Sequence, residues 1–295
     1  MHFSTAMSVV IQGITEFFPV SSSAHLFFFS KFLKEHQISQ VDAMALNLVP
    51  GLVFALYFYK DILKLFWGFI ASFLRFFSLN RRFCAQNFRN EEYFKFFFWS
   101  VAPISLVGLL VSGFGISVPT SVELIAINSI VFGILLGWAD VKGRQRALLD
   151  EASTSNTPDS CEKNRLPDEV RPSRVGKILG LAHVLSYIPG VSRLGICITA
   201  TRFLGISRYT AIRVSFICGI LPLIATGTLG FFRSFWKSGA LYDPHLASTL
   251  VLHFGVMFPL GFASLHVFMR LAQKHGLWGI AVYRVLLGIG LLAMS

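Results

Sequence analysis

A group of polar side chains interrupts apolar sequence near the start of the chain. It contains one amide, one carboxylate, three hydroxyls and one imidazole, carried by Gln12, Glu16, Ser21, Ser22, Ser23 and His25. Ionisable groups are costly in lipid, so a carboxylate close to a histidine within such a segment indicates a functional site. A hydroxyl next to a base is also the arrangement that nucleophilic attack and proton transfer require.

A second polar group lies in the C-terminal half, at Pro189-Gly190-Val191-Ser192-Arg193. Its guanidinium can hold a phosphate through paired hydrogen bonds. Pro19 in the first group and Pro189 in the second interrupt a helix, and the serines that follow can cap the next one. The free N–H groups and the dipole at such a helix start favour an anion. Together the two groups suit phosphoryl transfer.

Each of these residues also has a purely structural interpretation. A serine in a membrane helix often bonds its own backbone, which applies to Ser21 and Ser23. His25 could be a satisfied core group. Glu16 could pair with Arg193 in a structural ion pair.

The composition predicts an all-α, polytopic membrane protein. Of the 295 residues, 54% are hydrophobic and 14% are charged, and the mean hydropathy is +0.63. These values exclude an ordinary soluble domain. The net charge of +11 could suggest nucleic acid, but the basic residues lie between apolar runs. Positive-inside topology explains them more simply.

Apolar runs predict the elements that position the polar groups. Two runs, 3–33 and 178–204, are interrupted by the polar groups and are predicted to form re-entrant helical hairpins. Segment 62–78, with basic residues among Phe and Trp, is predicted to be an interfacial helix. Six runs are long enough for full spans, namely 42–59, 95–113, 121–139, 210–232, 246–269 and 277–294.

The basic residues between the spans indicate the orientation. The 60–95 connection contains seven Lys and Arg residues and the 142–177 connection contains eight, whereas the 114–120 turn contains none. Both basic connections are therefore expected in the cytoplasm. Arg202 and Arg208 are expected at the same membrane boundary, where long basic side chains usually snorkel.

This orientation makes the two hairpins enter the membrane from opposite sides, each followed by three spans. Such an arrangement is an inverted-topology repeat whose broken helices meet near the midplane. The chain is predicted to be a single membrane domain, 1–295, with a first repeat at 1–141, a polar cytoplasmic loop at 142–173 and a second repeat at 174–295.

A weak sequence similarity between the two halves supports the repeat. It aligns Pro19-Val20-Ser21-Ser22 with Pro189-Gly190-Val191-Ser192. The predicted site would then unite Ser22 and His25 with Ser192 and Arg193.

At these residues the chain resembles the bacterial undecaprenyl-pyrophosphate phosphatase family, the integral-membrane type linked to bacitracin resistance. The first family motif is Glu or Gln, three residues, Glu, then Phe-x-Pro-Val-Ser-Ser-x-x-His. It is met by Gln12, Glu16, Phe17, Pro19, Val20, Ser21, Ser22 and His25. The second motif, Pro-Gly-x-Ser-Arg-Ser-Gly, is met by Pro189, Gly190, Ser192, Arg193 and Gly195, with Leu194 in place of the second serine.

The resemblance implies removal of the terminal phosphate from a C55 polyprenyl diphosphate, which recycles the lipid carrier of peptidoglycan synthesis. It implies an inner-membrane enzyme with its site towards the periplasm, and it leaves a homodimer open. Ser22 would be the nucleophile or a phosphate ligand, and His25 the general base or acid. Glu16 would orient His25 or bind a metal, while Arg193 would hold the diphosphate. The remaining substrate-binding residues would be Gln12, Ser21, Ser23, Gly190 and Ser192.

Members of this family respond to Mg²⁺ or Ca²⁺, and a divalent ion suits a diphosphate. Glu16 is the expected metal ligand, and Gln12 in place of a second carboxylate makes a poorer metal site.

The main alternative is a polyprenyl-phosphate flippase or anion transporter that uses the same hairpin site without hydrolysis. Anion binding alone needs no base, so the hydroxyl and imidazole that accompany Arg193 favour the enzyme.

Overall fold

The described part of the chain is built from helices and turns and contains no strand. The computed structural model describes residues 3–33, 40–77, 81–116, 120–153, 172–238 and 250–294. The first half contains α1 (Phe3–Thr15), α2 (Ser22–Leu33), α3 (Gln40–Tyr57), α4 (Tyr59–Phe76), α5 (Arg81–Gln86), α6 (Phe88–Gly113) and α7 (Val122–Ser153). The second half contains α8 (Pro172–Val184), a 3₁₀ turn (Leu185–Tyr187), α9 (Arg193–Phe203), α10 (Arg208–Ser238), a π turn (His253–Met257), α11 (Phe258–His275) and α12 (Trp278–Ala293).

The prediction of an all-α, multi-pass membrane protein is confirmed. Within the described chain, one bent helix pair could form a further span in addition to four single helices of sufficient length. It consists of Ala45–Tyr57 and Tyr59–Phe76, which are bent by 85° relative to each other. The predicted span at 277–294 forms α12, which is apolar but only 16 residues long. The exact count of six spans and the inverted repeat stay predictions. Four described helices are long and apolar enough to cross a bilayer, namely Phe88–Gly113, Val122–Gln145, Arg208–Gly230 and Leu250–His275.

The polar segment predicted as a loop at 142–173 begins as helix. Helix α7 continues without a break to Ser153, so the first part of that segment is helical and the prediction was wrong there. The stretch from Lys142 to Ser153 is rich in Ala, Leu, Lys, Arg, Gln and Glu, which are strong helix formers even where no apolar face is required. Residues 154–171 lie outside the described part.

Close helix pairs surround the two interrupted segments. Helix α3 packs along α10, α6 along α8, and α7 along α12. At Gly227 in α10 a Cβ atom would lie 2.8 Å from the backbone nitrogen of Leu48 in α3. Association between helices in lipid depends on such close backbone approach, because lipid tails are as apolar as leucine.

Buried ion pairs join the start of α10 to its neighbours. Arg213 donates from Nη2 and Nε to the carboxylate of Asp61 at 2.6 and 3.0 Å. Asp140 accepts from Arg202 Nε at 3.2 Å and from Arg208 Nη2 at 2.8 Å. Arg202 is only 2% exposed, so the expectation that it snorkels was wrong. Burial of this guanidinium requires the carboxylate of Asp140 as its partner.

Candidate functional site

The tips of the two interrupted segments line one cavity of about 460 Å³. Eight of the nine predicted site residues line it, which leaves out His25. From the first tip come Gln12, Glu16, Ser21, Ser22 and Ser23, and from the second come Gly190, Ser192 and Arg193. The sequence therefore identified two groups that are distant in the chain and adjacent in space.

Both tips contain a serine in the left-handed backbone region. Ser21 has φ 67° and Ser192 has φ 70°, and they are the non-glycine residues with positive φ in the described chain. This region is unfavourable for a residue with a side chain, so it persists only where the surroundings impose it. The Ser192 hydroxyl accepts from the Gly195 N–H at 3.2 Å and so caps α9. The Ser21 hydroxyl lies 3.0 Å from that of Ser23.

The two left-handed serines correct the predicted alignment by one residue. Each stands immediately before a helix, so the equivalent pairs are Val20-Ser21 and Val191-Ser192. Ser22 then corresponds to Arg193, because each is the first residue of its helix. A positive φ cannot be predicted from the residue type when the residue is not glycine. The sequence alignment of the two tips was therefore off by one residue.

Two helices begin at the cavity. Helix α2 begins at Ser22 and α9 at Arg193, and both residues line it. The first N–H groups of a helix have no intrahelical acceptor, and the helix dipole is positive at that end. Two such ends directed at one cavity favour an anionic group there.

The serine hydroxyl at the start of α2 is paired with a carboxylate. Ser22 Oγ donates to Glu16 Oε2 at 2.6 Å. A hydrogen bond this short to a charged acceptor is among the strong ones in proteins. It puts a base directly on the hydroxyl, so the proton of Ser22 has an acceptor already in place.

Arg193 lines the same cavity from the other tip and has an unused donor. Its Nη1 is buried and has no hydrogen-bond partner among the described residues. Within the described chain, Glu16 and Arg193 do not form the structural ion pair considered above. The carboxylate of Glu16 bonds Ser22 instead. A buried donor left unsatisfied is costly, and an anion in the cavity would remove that cost.

His25 lies behind the cavity. Its Nδ1 is 2.9 Å from the Ser21 carbonyl oxygen, and its Nε2 is 2.7 Å from the Tyr283 hydroxyl. A carbonyl only accepts, so Nδ1 carries a proton and donates it to Ser21, while Nε2 is paired with the Tyr283 hydroxyl. Both ring nitrogens are thus occupied, and the structure does not bring the imidazole to the Ser22 hydroxyl. The sequence could not show this, because the two partners of the ring are a backbone carbonyl and a tyrosine 258 residues away in the chain.

The described residues contain no group of three or more His, Cys, Asp or Glu side chains able to hold a metal. Among the described residues, Glu16 supplies the one carboxylate that lines the cavity. The amide of Gln12 offers a second oxygen there. Gln12 Nε2 donates to the Leu46 carbonyl at 3.0 Å, while its Oε1 is buried without a partner. This set fits Mg²⁺ bound by one carboxylate together with substrate phosphates, and does not form a complete protein cage.

Arg284 is a buried residue that contacts both tips and that the sequence reasoning missed. It lies in α12, is 0% exposed, and reaches backbone carbonyls of both tips. Its Nη1 donates to Pro19 at 3.3 Å, and its Nη2 donates to Gly190 at 3.0 Å and to Val191 at 2.8 Å. The signal was present, because Arg284 is the one charged residue in the apolar run 277–294.

Glycines on two other helices leave room for this guanidinium. A Cβ atom at Gly195 in α9 would lie 2.5 Å from Arg284 Nη1, and one at Gly133 in α7 would lie 2.9 Å from Arg284 Cβ. The second tip is also held from α7, where Asn128 Nδ2 donates to the Pro189 carbonyl at 2.8 Å. Helices α7, α9 and α12 therefore form the frame around the two tips.

Comparisons with known proteins agree with the motifs. A sequence model of the family described as bacitracin resistance protein BacA matches residues 5–290. A curated relative, undecaprenyl-diphosphatase 1 of Pseudoalteromonas translucida (strain TAC 125), is 29% identical over 286 residues. That alignment covers 96% of this chain and 94% of the relative.

Replacement of Arg284 by Lys should weaken anion binding in the cavity. Lysine keeps the charge but lacks the planar fork that joins carbonyls from both tips. A displacement of about 1 Å at a site of this kind can cost on the order of a hundredfold. We expect the affinity for inorganic diphosphate, measured by calorimetry on protein in detergent, to fall at least tenfold. Arg144→Lys, at an exposed position of α7, is the control. Unchanged affinity in Arg284→Lys would show that the clamp does not position the tips.

Proposed function

We propose that this chain, which belongs to the bacitracin resistance protein BacA family, hydrolyses undecaprenyl diphosphate to undecaprenyl phosphate and inorganic phosphate. The product is the lipid carrier that peptidoglycan synthesis reuses. The observation that carries the proposal is the cavity itself, which is lined both by Ser22 bonded to Glu16 and by Arg193, whose Nη1 is unpaired in the described chain. A polyprenyl diphosphate has both a charged group for this cavity and an apolar chain for the membrane.

In the proposed reaction Glu16 is the base for Ser22. The Ser22 oxygen attacks the terminal phosphorus as its proton passes to Glu16 Oε2, which lies 2.6 Å away. The bond between that phosphorus and the bridging oxygen breaks, and the bridging oxygen leaves with its electron pair as part of undecaprenyl phosphate. Water then attacks the phosphorus of the phosphoserine, and the bond between that phosphorus and the Ser22 oxygen breaks. Glu16 returns its proton to the Ser22 oxygen, and inorganic phosphate leaves with the oxygen of the water.

The same contact allows a second route that the sequence left open. Glu16 could take the proton of a water molecule, with Ser22 as a phosphate ligand. Phosphate trapped on Ser22 in an acid-quenched reaction would identify the first route.

Arg193 and the two helix starts stabilise the charge of the diphosphate. A guanidinium can bind two phosphate oxygens at once, and its buried Nη1 has no competing partner in the described chain. Donors fixed around developing charge are commonly the largest contribution to catalysis. In this proposal His25 is a positioning residue, because it holds the Ser21 carbonyl and is held by Tyr283.

A divalent cation would enter this site together with the diphosphate. Glu16 and the free Gln12 Oε1 would hold it from the protein side. When bound, Mg²⁺ or Ca²⁺ would neutralise charge on the phosphate oxygens.

The orientation proposed for the protein places the cavity towards the periplasm and the chain in the inner membrane. Support comes from Thr120, which lines the cavity and belongs to the 114–120 turn that has no Lys or Arg. A homodimer stays a prediction from the family resemblance.

Purified protein in detergent should release phosphate from undecaprenyl diphosphate, and Arg193→Lys should lose most of this activity. Lysine retains one charge but not the paired geometry, so we expect kcat/KM to fall on the order of a hundredfold. Arg144→Lys, an exposed position outside the cavity, should keep wild-type turnover. Detergent abolishes vectorial transport, so substrate binding without phosphate release would favour the transporter instead.

Labelling of single cysteines should report the orientation. In intact cells a membrane-impermeant thiol reagent should modify a cysteine placed within 114–120 and should not modify one placed within 142–173. The native cysteines are first replaced by serine, and lysed cells give the labelling maximum at both positions. Labelling at 142–173 alone would reverse the orientation.

A further inference from the structure

An apolar groove runs along α6 and α10, next to the catalytic cavity. It consists of two cavities of about 570 and 440 Å³ that share Ser105, Leu109 and Leu221 in their linings. The shared lining residues place the two cavities next to each other along one path between α6 and α10. The first cavity also reaches Ile62 and Leu65 of α4, so the path extends to the bent α3–α4 pair.

The groove is about as long as the hydrocarbon core of a bilayer is thick. Its α6 lining extends from Phe94 to Ser112, which corresponds to about 27 Å at the rise of an α-helix. A bilayer core is about 30 Å thick. Both α6 and α10 are long and apolar enough to span a membrane, so the groove lies at the depth of lipid chains.

The lining of the groove is suited to a hydrocarbon. No charged residue lines either of its cavities within the described chain. Its polar groups are hydroxyls, and that of Thr226 donates to the Pro222 carbonyl of its own helix at 2.8 Å. An occupant would therefore be recognised by apolar contact and length.

Tyr187 connects the groove to the catalytic cavity. Its side chain lines the cavity that contains Ser22 and Arg193, and it also lines the second part of the groove. The Tyr187 hydroxyl lies directly over Gly108 of α6, at the place where a Cβ atom would be. The absence of a side chain at Gly108 thus lets the tyrosine reach α6 at the junction of the two sites.

We propose that this groove binds the isoprenoid chain of the substrate while its diphosphate occupies the catalytic cavity. The proposal rests on the proposed hydrolysis and adds where the chain lies and what selects its length. A molecule held by its head beside Tyr187 has the groove immediately available to its tail.

The test compares kcat/KM for undecaprenyl diphosphate and for geranyl diphosphate, whose two isoprene units stay at the end next to Tyr187. Ala102→Phe fills the groove from α6, at a position outside the catalytic cavity. The matched control is Ala263→Phe, the same change at an exposed position of α11 outside the groove. Ala102→Leu, which adds less volume, is measured in parallel in case the larger side chain prevents folding.

We expect the ratio of the long-chain to the short-chain kcat/KM to fall about tenfold or more in the Ala102 variants. It should stay at the wild-type value in Ala263→Phe. An unchanged ratio in the Ala102 variants, or an equal loss with both substrates, would overturn the groove proposal and assign the groove to bilayer lipid. Failure of the wild type to hydrolyse either substrate would instead reject the proposed hydrolysis, and the groove proposal with it.

Discussion

The structure depends on hydrogen bonds to the backbone carbonyls that are left without a helical partner where two helices are interrupted in apolar surroundings. In lipid, irregular backbone is tolerated only where protein groups bind it. Here one fully buried guanidinium, Arg284, bonds Pro19 of the first tip and Gly190 and Val191 of the second. The same contact that satisfies the broken helices also fixes their distance from each other. One side chain thus links the two tips, and Asn128 adds a further bond to the second tip.

Holding the tips together divides the chemistry between the two halves of the chain. The first residue of α2 is a serine with a carboxylate on its hydroxyl, and the first residue of α9 is an arginine with an unused donor. Each half of the chain supplies one helix start for the anion. The side chain at that start differs, because it is a serine in α2 and an arginine in α9. In the proposed reaction the base, Glu16, comes from the first tip and the cation, Arg193, from the second, so neither tip alone forms the site. The left-handed Ser21 and Ser192 set the direction in which each helix begins.

The sequence was sufficient for the fold class and for bringing eight of the nine predicted residues to one cavity, because interrupted apolar runs and misplaced polar residues are visible in it. It was insufficient for the contacts. The sequence predicted Ser22 and His25 in one site, but the imidazole bonds the Ser21 carbonyl and the distant Tyr283 hydroxyl. Arg284 was overlooked since its acceptors are backbone carbonyls, which residue types do not reveal. The end of α7 was misplaced because polarity was taken to mean loop, although the helix propensity of that segment is high.

The central claim is that Ser22 and Arg193 act on one phosphate from opposite halves of the chain. A double-mutant cycle tests it most directly, with kcat/KM for phosphate release measured in detergent for Ser22→Ala, Arg193→Ala and the double variant. Groups that act together in one transition state are strongly non-additive, since the loss of one leaves the other little to stabilise. The account predicts that each single variant is severely impaired and that the double variant is little worse than the poorer single one. Free-energy losses that simply add, or wild-type rates in either single variant, would contradict it.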